Sequence, residues 1–142
     1  MYTYEYPRAA ITADIIVFLK EETSHKVLLI KRGQEPFKNT WALPGGFMDM
    51  DEIIETTAVR ELEEETTLKG IDLKQLYTFS EINRDPRHRT ISVAFYGFTD
   101  KNNCNAIGND DASEAAWFDI TNLPKLAFDH QKIFDFAIKS VL

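Results

Sequence analysis

The sequence predicts one domain of mixed α/β structure, and three observations point that way. Runs rich in β-branched and apolar residues recur along the chain, at 9–19, 27–30, 73–82, 90–98 and 115–119. Two other stretches carry apolar residues at helical spacing, one following Asp51 and one spanning 127–142. A length of 142 residues with 44% hydrophobic content suits a single domain, 1–142, with its own core.

Taken in order, Tyr2, Tyr4 and Tyr6 alternate and allow a short strand that Pro7 interrupts; they cover either the parent domain or a dimer partner. Residues 9–19 form a strand buried on both faces over 15–18, and 27–30, closed by Lys31 and Arg32, pairs with it as a hairpin-like unit. A loop with Pro36 and Phe37 fills 33–40. Asp51, or Asp49 if the helix starts earlier, caps a helix whose buried stripe is Ile54, Ala58 and Leu62. Residues 73–82 form a strand, 83–89 an arginine-rich connection, and 90–98 a second strand. The polar stretch 100–111 is expected to be a mobile loop. A short strand with Trp117 and Phe118 then leads to a final helix carrying Phe128, Ile133, Phe134, Phe136, Ala137 and Val141.

A net charge of −7 opposes non-specific nucleic-acid binding, so no DNA partner is expected. No apolar run is long enough to span a membrane, and the start lacks the pattern of a secretory signal. The single cysteine, Cys104, permits no internal disulfide and fits a reducing cytoplasm.

The chemistry concentrates in residues 45–68, GGFMDMDEIIETTAVRELEEETTL. Glu61, Glu64 and Glu65 stand at i, i+3 and i+4, on one helix face with their side chains close together. Three carboxylates that close repel one another, and a hard divalent cation relieves the repulsion. Mg²⁺ suits such a site, held by a few carboxylates plus water and substrate phosphate; Mn²⁺ is the alternative. Arg60 is placed to reach back and orient a glutamate such as Glu52. Gly45 and Gly46 allow the close backbone approach that a phosphate or a packed turn needs.

The order Gly46, Glu52, Arg60, Glu61, Leu62, Glu64, Glu65, Leu68 resembles the Nudix box: a glycine, a glutamate six residues on, then Arg-Glu-apolar-x-Glu-Glu-x-x-apolar. One position departs, since Thr67 stands where the family usually has glycine; the helix is expected to end differently, running on toward Gly70. The flanks Arg32 to Phe47, Arg84-Asp-Pro-Arg87 and Leu126-Ala-Phe-Asp-His130 resemble the ADP-ribose pyrophosphatase branch.

The resemblance implies an α/β/α sandwich with a central mixed sheet. It implies Mg-dependent hydrolysis of a nucleoside diphosphate linked to another moiety, with ADP-ribose giving AMP and ribose 5-phosphate as the preferred reaction. Alternatives are a triphosphate-cleansing Nudix enzyme and a non-catalytic Nudix sensor. It implies Glu61, Glu64, Glu65 and Gly46 as metal ligands, and Glu64, Glu61, Arg60 and Glu52 as the catalytic set. Arg32, Gly45 and Gly46 would face the diphosphate, and Phe128 and His130 line an adenine or ribose pocket, with core packing the other role open to Phe128. Arg84 and Arg89 touch either ligand or a partner. Asp110, Asp111 and Glu114 are candidates for the base or an extra ligand. The family resemblance also implies a homodimer.

Overall fold

Alternation along one strand builds the molecule. In β1 (Ala10–Lys20), Ala13, Ile15 and Val17 pack toward one helix while Ile16 and Phe18 pack toward the other, and all five are fully buried. Successive side chains of a strand point to opposite faces, so a central strand covered on both sides reads as one continuous apolar run. The structure is a computed structural model that describes residues 2–142.

β2 (His25–Arg32) pairs antiparallel with β1 through Phe18↔Val27, which is the expected hairpin. β6 (Thr90–Thr99) lies on the other side of β1, parallel to it from Ala10↔Thr90 to Leu19↔Thr99, and β5 (Lys74–Phe79) forms the edge beside β6. The parallel pair makes the sheet mixed. β7 (Ala112–Asp119) runs antiparallel along β2, and the short β3 (Trp41–Ala42) also pairs with β2. β4 (Gly45–Phe47) sits against the start of β1, with Asp14 opposite Gly45 and Ala13 opposite Gly46. Helix α1 (Ile54–Thr66) covers one face through Ala58 and Leu62, and α2 (His130–Val141) covers the other through Ile133, Phe134 and Ala137. The result is the α/β/α sandwich with a central mixed sheet.

Several boundaries differ from the sequence reading. Residues 2–9 form no strand; Tyr2 and Tyr4 stack on each other at 6.4 Å and Arg8 lies over the Tyr4 ring. β5 stops at Phe79, because residues 82–87 turn. Neither Asp51 nor Asp49 caps α1: the N-cap is Ile53, whose side chain has nothing to donate or accept. Glu52 takes the capping region's polar work, accepting the Asp49 N–H at 3.0 Å and the Thr57 hydroxyl at 2.7 Å.

At its other end, α1 stops at Thr66 and does not continue to Gly70. Thr67 adopts the left-handed conformation, φ 66°, with its N–H on Glu63 O at 2.9 Å. The chain therefore makes the glycine-type helix end with a β-branched residue. The loop at 100–111 supports this end: Ile107 N and Asn109 N donate to the carbonyls of Thr66 and Glu65 at 2.9 and 3.0 Å, two acceptors that a helix terminus would otherwise leave open. Since a left-handed Thr costs on the order of 1–3 kcal/mol, Thr67→Gly is expected to stabilise the protein by about 1 kcal/mol after glycine's own entropic cost. A denaturant titration checks this as a higher midpoint at unchanged slope.

Candidate active site

A cleft of about 310 Å³ opens where β4, α1 and the loops at 32–37, 84–90, 110–111 and 128–130 meet. It has one acidic wall and one basic wall.

The acidic wall is built on α1. Glu61 and Glu65 line the cleft, and Glu64, one position before Glu65, is more exposed. The helix can lie this close to β4 because residues 45 and 46 are glycines. A Cβ on Gly46 would overlap the Glu61 carboxylate, and one on Gly45 would strike Ala13 O and the Asp14 side chain. The Gly45 N–H donates to Glu65 Oε1 at 2.8 Å. That single hydrogen bond is a small return for a carboxylate left only 7% exposed. Burial pushes Glu65 up to about 8, and the nearby charges of Glu61, Asp14 and Asp111 add to the push. Burial also raises Glu61, against the opposing pull of Arg60.

Arg60 supplies the positive charge on this wall. Its Nε and Nη2 grip Glu52 at 3.0 and 2.6 Å, and Nη2 also reaches Phe47 O at 2.9 Å, so the turn after β4 is clipped to the helix. Hydrogen bonds from Arg60 hold Glu52 well below the usual carboxylate range, at about 2. Its Nη1 bridges Glu61 at 2.7 Å and Glu64 at 3.2 Å. Glu52 is thus an anchor for Arg60, outside the cleft lining. With Arg60 on Glu61 and Glu64, and Gly45 on Glu65, no three His, Cys, Asp or Glu side chains among the described residues already converge as a ligand cluster. The chemistry of the set nevertheless fits a hard divalent cation: oxygen donors only, two of them with raised pKa values, packed against a glycine that leaves room.

The basic wall comes from three arginines, each tethered through its Nε. Arg32 donates to Pro36 O at 2.7 Å, Arg84 to Asp129 at 2.9 Å, and Arg87 to Asp85 at 3.1 Å. Arg84 and Arg87 add a second bond from Nη2 to the same carboxylates, at 2.6 and 2.8 Å. A guanidinium fixed this way keeps terminal N–H groups for an anion. Burial lowers the Arg32 pKa, with the charge of Arg87 next in effect. Arg32 and Arg87 also lie over the Phe128 ring, at 5.0 and 5.5 Å, and Arg87 over Phe47 at 5.2 Å.

Of the residues singled out from the sequence, Arg32, Gly45, Gly46, Arg60, Glu61, Glu65, Arg84, Phe128, His130, Asp110 and Asp111 line this cleft. Glu52, Glu64, Arg89 and Glu114 do not. The Arg89 guanidinium turns away to Glu81 O at 3.2 Å, and Glu114, on β7, pairs across the sheet with Lys31 at 3.4 Å. His130 reaches the cleft floor with one nitrogen committed: its Nδ1 accepts the Leu43 N–H at 3.0 Å, while its Nε2 faces Asp14 at 3.7 Å, beyond hydrogen-bond distance. Sequence reasoning missed Arg87, Asp85 and Asp14. Arg87 had a signal in its own tripeptide, since an Asp-Pro-Arg turn lets the aspartate hold the arginine two residues on.

The Nudix domain profile matches residues 9–136. The chain belongs to the Nudix family. It is a Nudix hydrolase by this membership. Over 128 residues, 90% of the chain and 72% of the relative, it is 44% identical to an ADP-ribose pyrophosphatase of Methanocaldococcus jannaschii. It is 32% identical to the ADPR-responsive transcriptional repressor NtrR of Acinetobacter baylyi, of which it spans about half, 54%. Among solved structures, the Nudix domain of Shewanella oneidensis NrtR complexed with ADP ribose superposes with a TM-score of 0.87 at 30% identity, over 96% of this chain and 91% of that one. No helix among the described residues is long and apolar enough to cross a membrane.

Glu65 gives the cleft a pH signature. Its folded pKa, about 8, lies above the roughly 4.3 of an unfolded glutamate. Stability present below pH ~4.3 is therefore lost as pH rises toward 8. In EDTA, the wild type is expected to lose a few kcal/mol between pH 5 and 8, as an order of magnitude, and Glu65→Gln to flatten that slope. Urea titrations at the two pH values check it.

Proposed function

We propose that this protein hydrolyses ADP-ribose to AMP and ribose 5-phosphate with Mg²⁺ as its metal, Mn²⁺ serving as a substitute. The observation that carries the reading is the cleft's mixed charge: Glu61 and Glu65 line one space together with Arg32, Arg84 and Arg87. A diphosphate is the ligand that answers both walls, since its oxygens can meet guanidinium N–H groups on one side and a cation on the other. The 44% identity to an ADP-ribose pyrophosphatase supports the same substrate.

Glu61, Glu65 and Glu64, with the Gly46 carbonyl, would hold the cation, which when bound supplies Lewis acidity toward the diphosphate and lowers the pKa of water. Arg84 and Arg87 orient the diphosphate, with Arg32 beside them. Phe128, packed against Phe37 at 4.8 Å with two guanidiniums over its ring, gives the cleft an aromatic edge toward the base or ribose. Water attacks one phosphorus, the bond from that phosphorus to the bridging oxygen breaks, and the water proton passes to a carboxylate. Asp110 is the residue assigned that proton. It lines the cleft and its charge acts on Glu61, whereas the Asp111 carboxylate accepts a hydrogen bond from Gln34 Nε2 at 3.0 Å. Arg60 and Glu52 are positioning residues that hold the ligand face. The reading extends to a homodimer in the cytoplasm, with Cys104 as a free thiol.

A sensor is the second reading, favoured by the likeness to the NrtR domain solved with ADP ribose. One assay separates the two: AMP release from ADP-ribose with Mg²⁺, beside nucleotide sugars, dinucleotides and triphosphates. Selective turnover of ADP-ribose is expected, with Glu64→Gln lowering kcat by about 10-fold or more and Asp110→Asn lowering it by about 10²–10⁴-fold at little change in KM. Tight binding of ADP-ribose without turnover would make the chain a sensor, and turnover of another compound alone would remove ADP-ribose as substrate.

A further inference from the structure

Behind β4 runs a buried polar chain that the reaction above leaves unused. Asp14, 7% exposed, sits in the middle of β1. Its Oδ2 accepts the Ser92 hydroxyl of β6 and, at 3.4 Å, the Thr12 hydroxyl. Its Oδ1 lies 3.7 Å from Nε2 of His130, which is itself 5% exposed at the start of α2. The far side of that imidazole, Nδ1, accepts the Leu43 N–H at 3.0 Å. An accepting Nδ1 carries no proton, so the proton of the neutral ring stands on Nε2, toward Asp14. Burial lowers the imidazole pKa and keeps the ring neutral.

Leu43 opens the segment that carries the two glycines of the site. The next residue, Pro44, accepts the Ile15 N–H through its carbonyl at 2.8 Å. Gly45 follows, with its N–H on Glu65, and then Gly46, packed on Glu61. The segment from Leu43 to Gly46 is thus held from behind by β1 and by His130, and from its front by the acidic helix.

The geometry points to Asp14 and His130 as positioning residues: a relay from the Ser92-held Asp14 carboxylate, across a 3.7 Å electrostatic contact with the imidazole, to the Leu43 N–H that sets the Gly45–Gly46 backbone, and with it Glu65, for a divalent cation. This rests on the cation reading given above. The sequence placed His130 among ligand-contacting residues; with Nδ1 committed to the Leu43 N–H and the ring buried, its effect on the metal side of the site passes through Leu43.

The two sides of the ring can be separated by substitution. In His130→Asn the amide oxygen can replace Nδ1 as acceptor for Leu43 but nothing reaches Asp14. In His130→Gln the longer amide can face Asp14 while the Leu43 N–H loses its acceptor. Ser92→Ala removes a hydroxyl from Asp14 and leaves every charge in place. The measurement is Mn²⁺ binding to the substrate-free protein, read as the free Mn²⁺ signal in electron paramagnetic resonance, with the ADP-ribose KM at saturating Mn²⁺ alongside.

His130→Gln is expected to weaken Mn²⁺ binding about 10- to 100-fold, as loss of an outer partner of a metal site does. His130→Asn should rescue most of it, and Ser92→Ala should cost about 2- to 10-fold, the worth of one hydrogen bond. The KM should hold across the set. Equal Mn²⁺ affinity in His130→Gln and wild type, or equal losses in the Gln and Asn variants, would overturn the relay. If either does not fold, unchanged Mn²⁺ affinity in Ser92→Ala overturns it alone. A rise in KM at unchanged Mn²⁺ affinity would return His130 to the substrate. Wild type that binds no Mn²⁺ would sink the cation reading itself, and the relay with it.

Discussion

A buried carboxylate with too little to hold it organises this molecule. Glu65 is nearly enclosed, accepts one backbone N–H from Gly45, and has Glu61, Asp14 and Asp111 near enough to raise it further. An isolated charge in such a place is costly, and proteins relieve it by protonation, by pairing or with a metal ion. Burial favours the first of these in the absence of a cation, and the glycines beside it leave room for the last. Gly45 and Gly46 are part of the same constraint, because any side chain there would push β4 away from Asp14 or from Glu61.

The rest of the site can be understood as charge management. A chain with net charge −7 has to receive an anionic ligand, and it does so by segregating its charges within one cleft. Arg60 keeps the acidic helix compact by joining Glu52, Glu61 and Glu64. The three arginines spend Nε on the protein, Arg84 and Arg87 an Nη2 as well, and each keeps further N–H groups for a ligand. Asp129 and His130, adjacent in sequence, serve different walls: Asp129 holds Arg84, and His130 accepts the N–H of Leu43, two residues before the Gly45 that donates to Glu65.

The helix face and the central strand were legible in the sequence because each depends on periodicity within one element. Spacing at i, i+3 and i+4 puts Glu61, Glu64 and Glu65 on one side of α1, of which Glu61 and Glu65 line the cleft, and an apolar run bounded by turns marks β1. The reach from Arg60 back to Glu52 was legible for the same reason. What was not legible depended on how separate elements meet. Asp14 is one polar residue in an apolar run, and only the packing of β4, β6 and α2 around it shows its place. Arg84, Arg87 and Arg89 share one short connection, and the choice among them follows from where Asp85, Asp129 and Glu81 O lie in space. Glu114 is close in sequence to Asp110 and Asp111, yet β7 has already begun, and strand alternation carries it to Lys31. At Thr67, local preference argued for a longer helix; the loop at 107–109 docking on the last carbonyls offset it.

The central claim, that both walls act on one diphosphate, has a direct test. Bound to the wild-type protein, a methylene-bridged ADP-ribose that cannot be cleaved carries two phosphorus nuclei whose NMR relaxation reports distance to Mn²⁺. Strong Mn²⁺-induced broadening of both signals, lost in Glu65→Gln and retained when the analogue binds more weakly to Arg84→Met, is the predicted result. An analogue that binds with neither phosphorus broadened by protein-bound Mn²⁺ would contradict it, because the acidic wall would then serve some other purpose than the diphosphate.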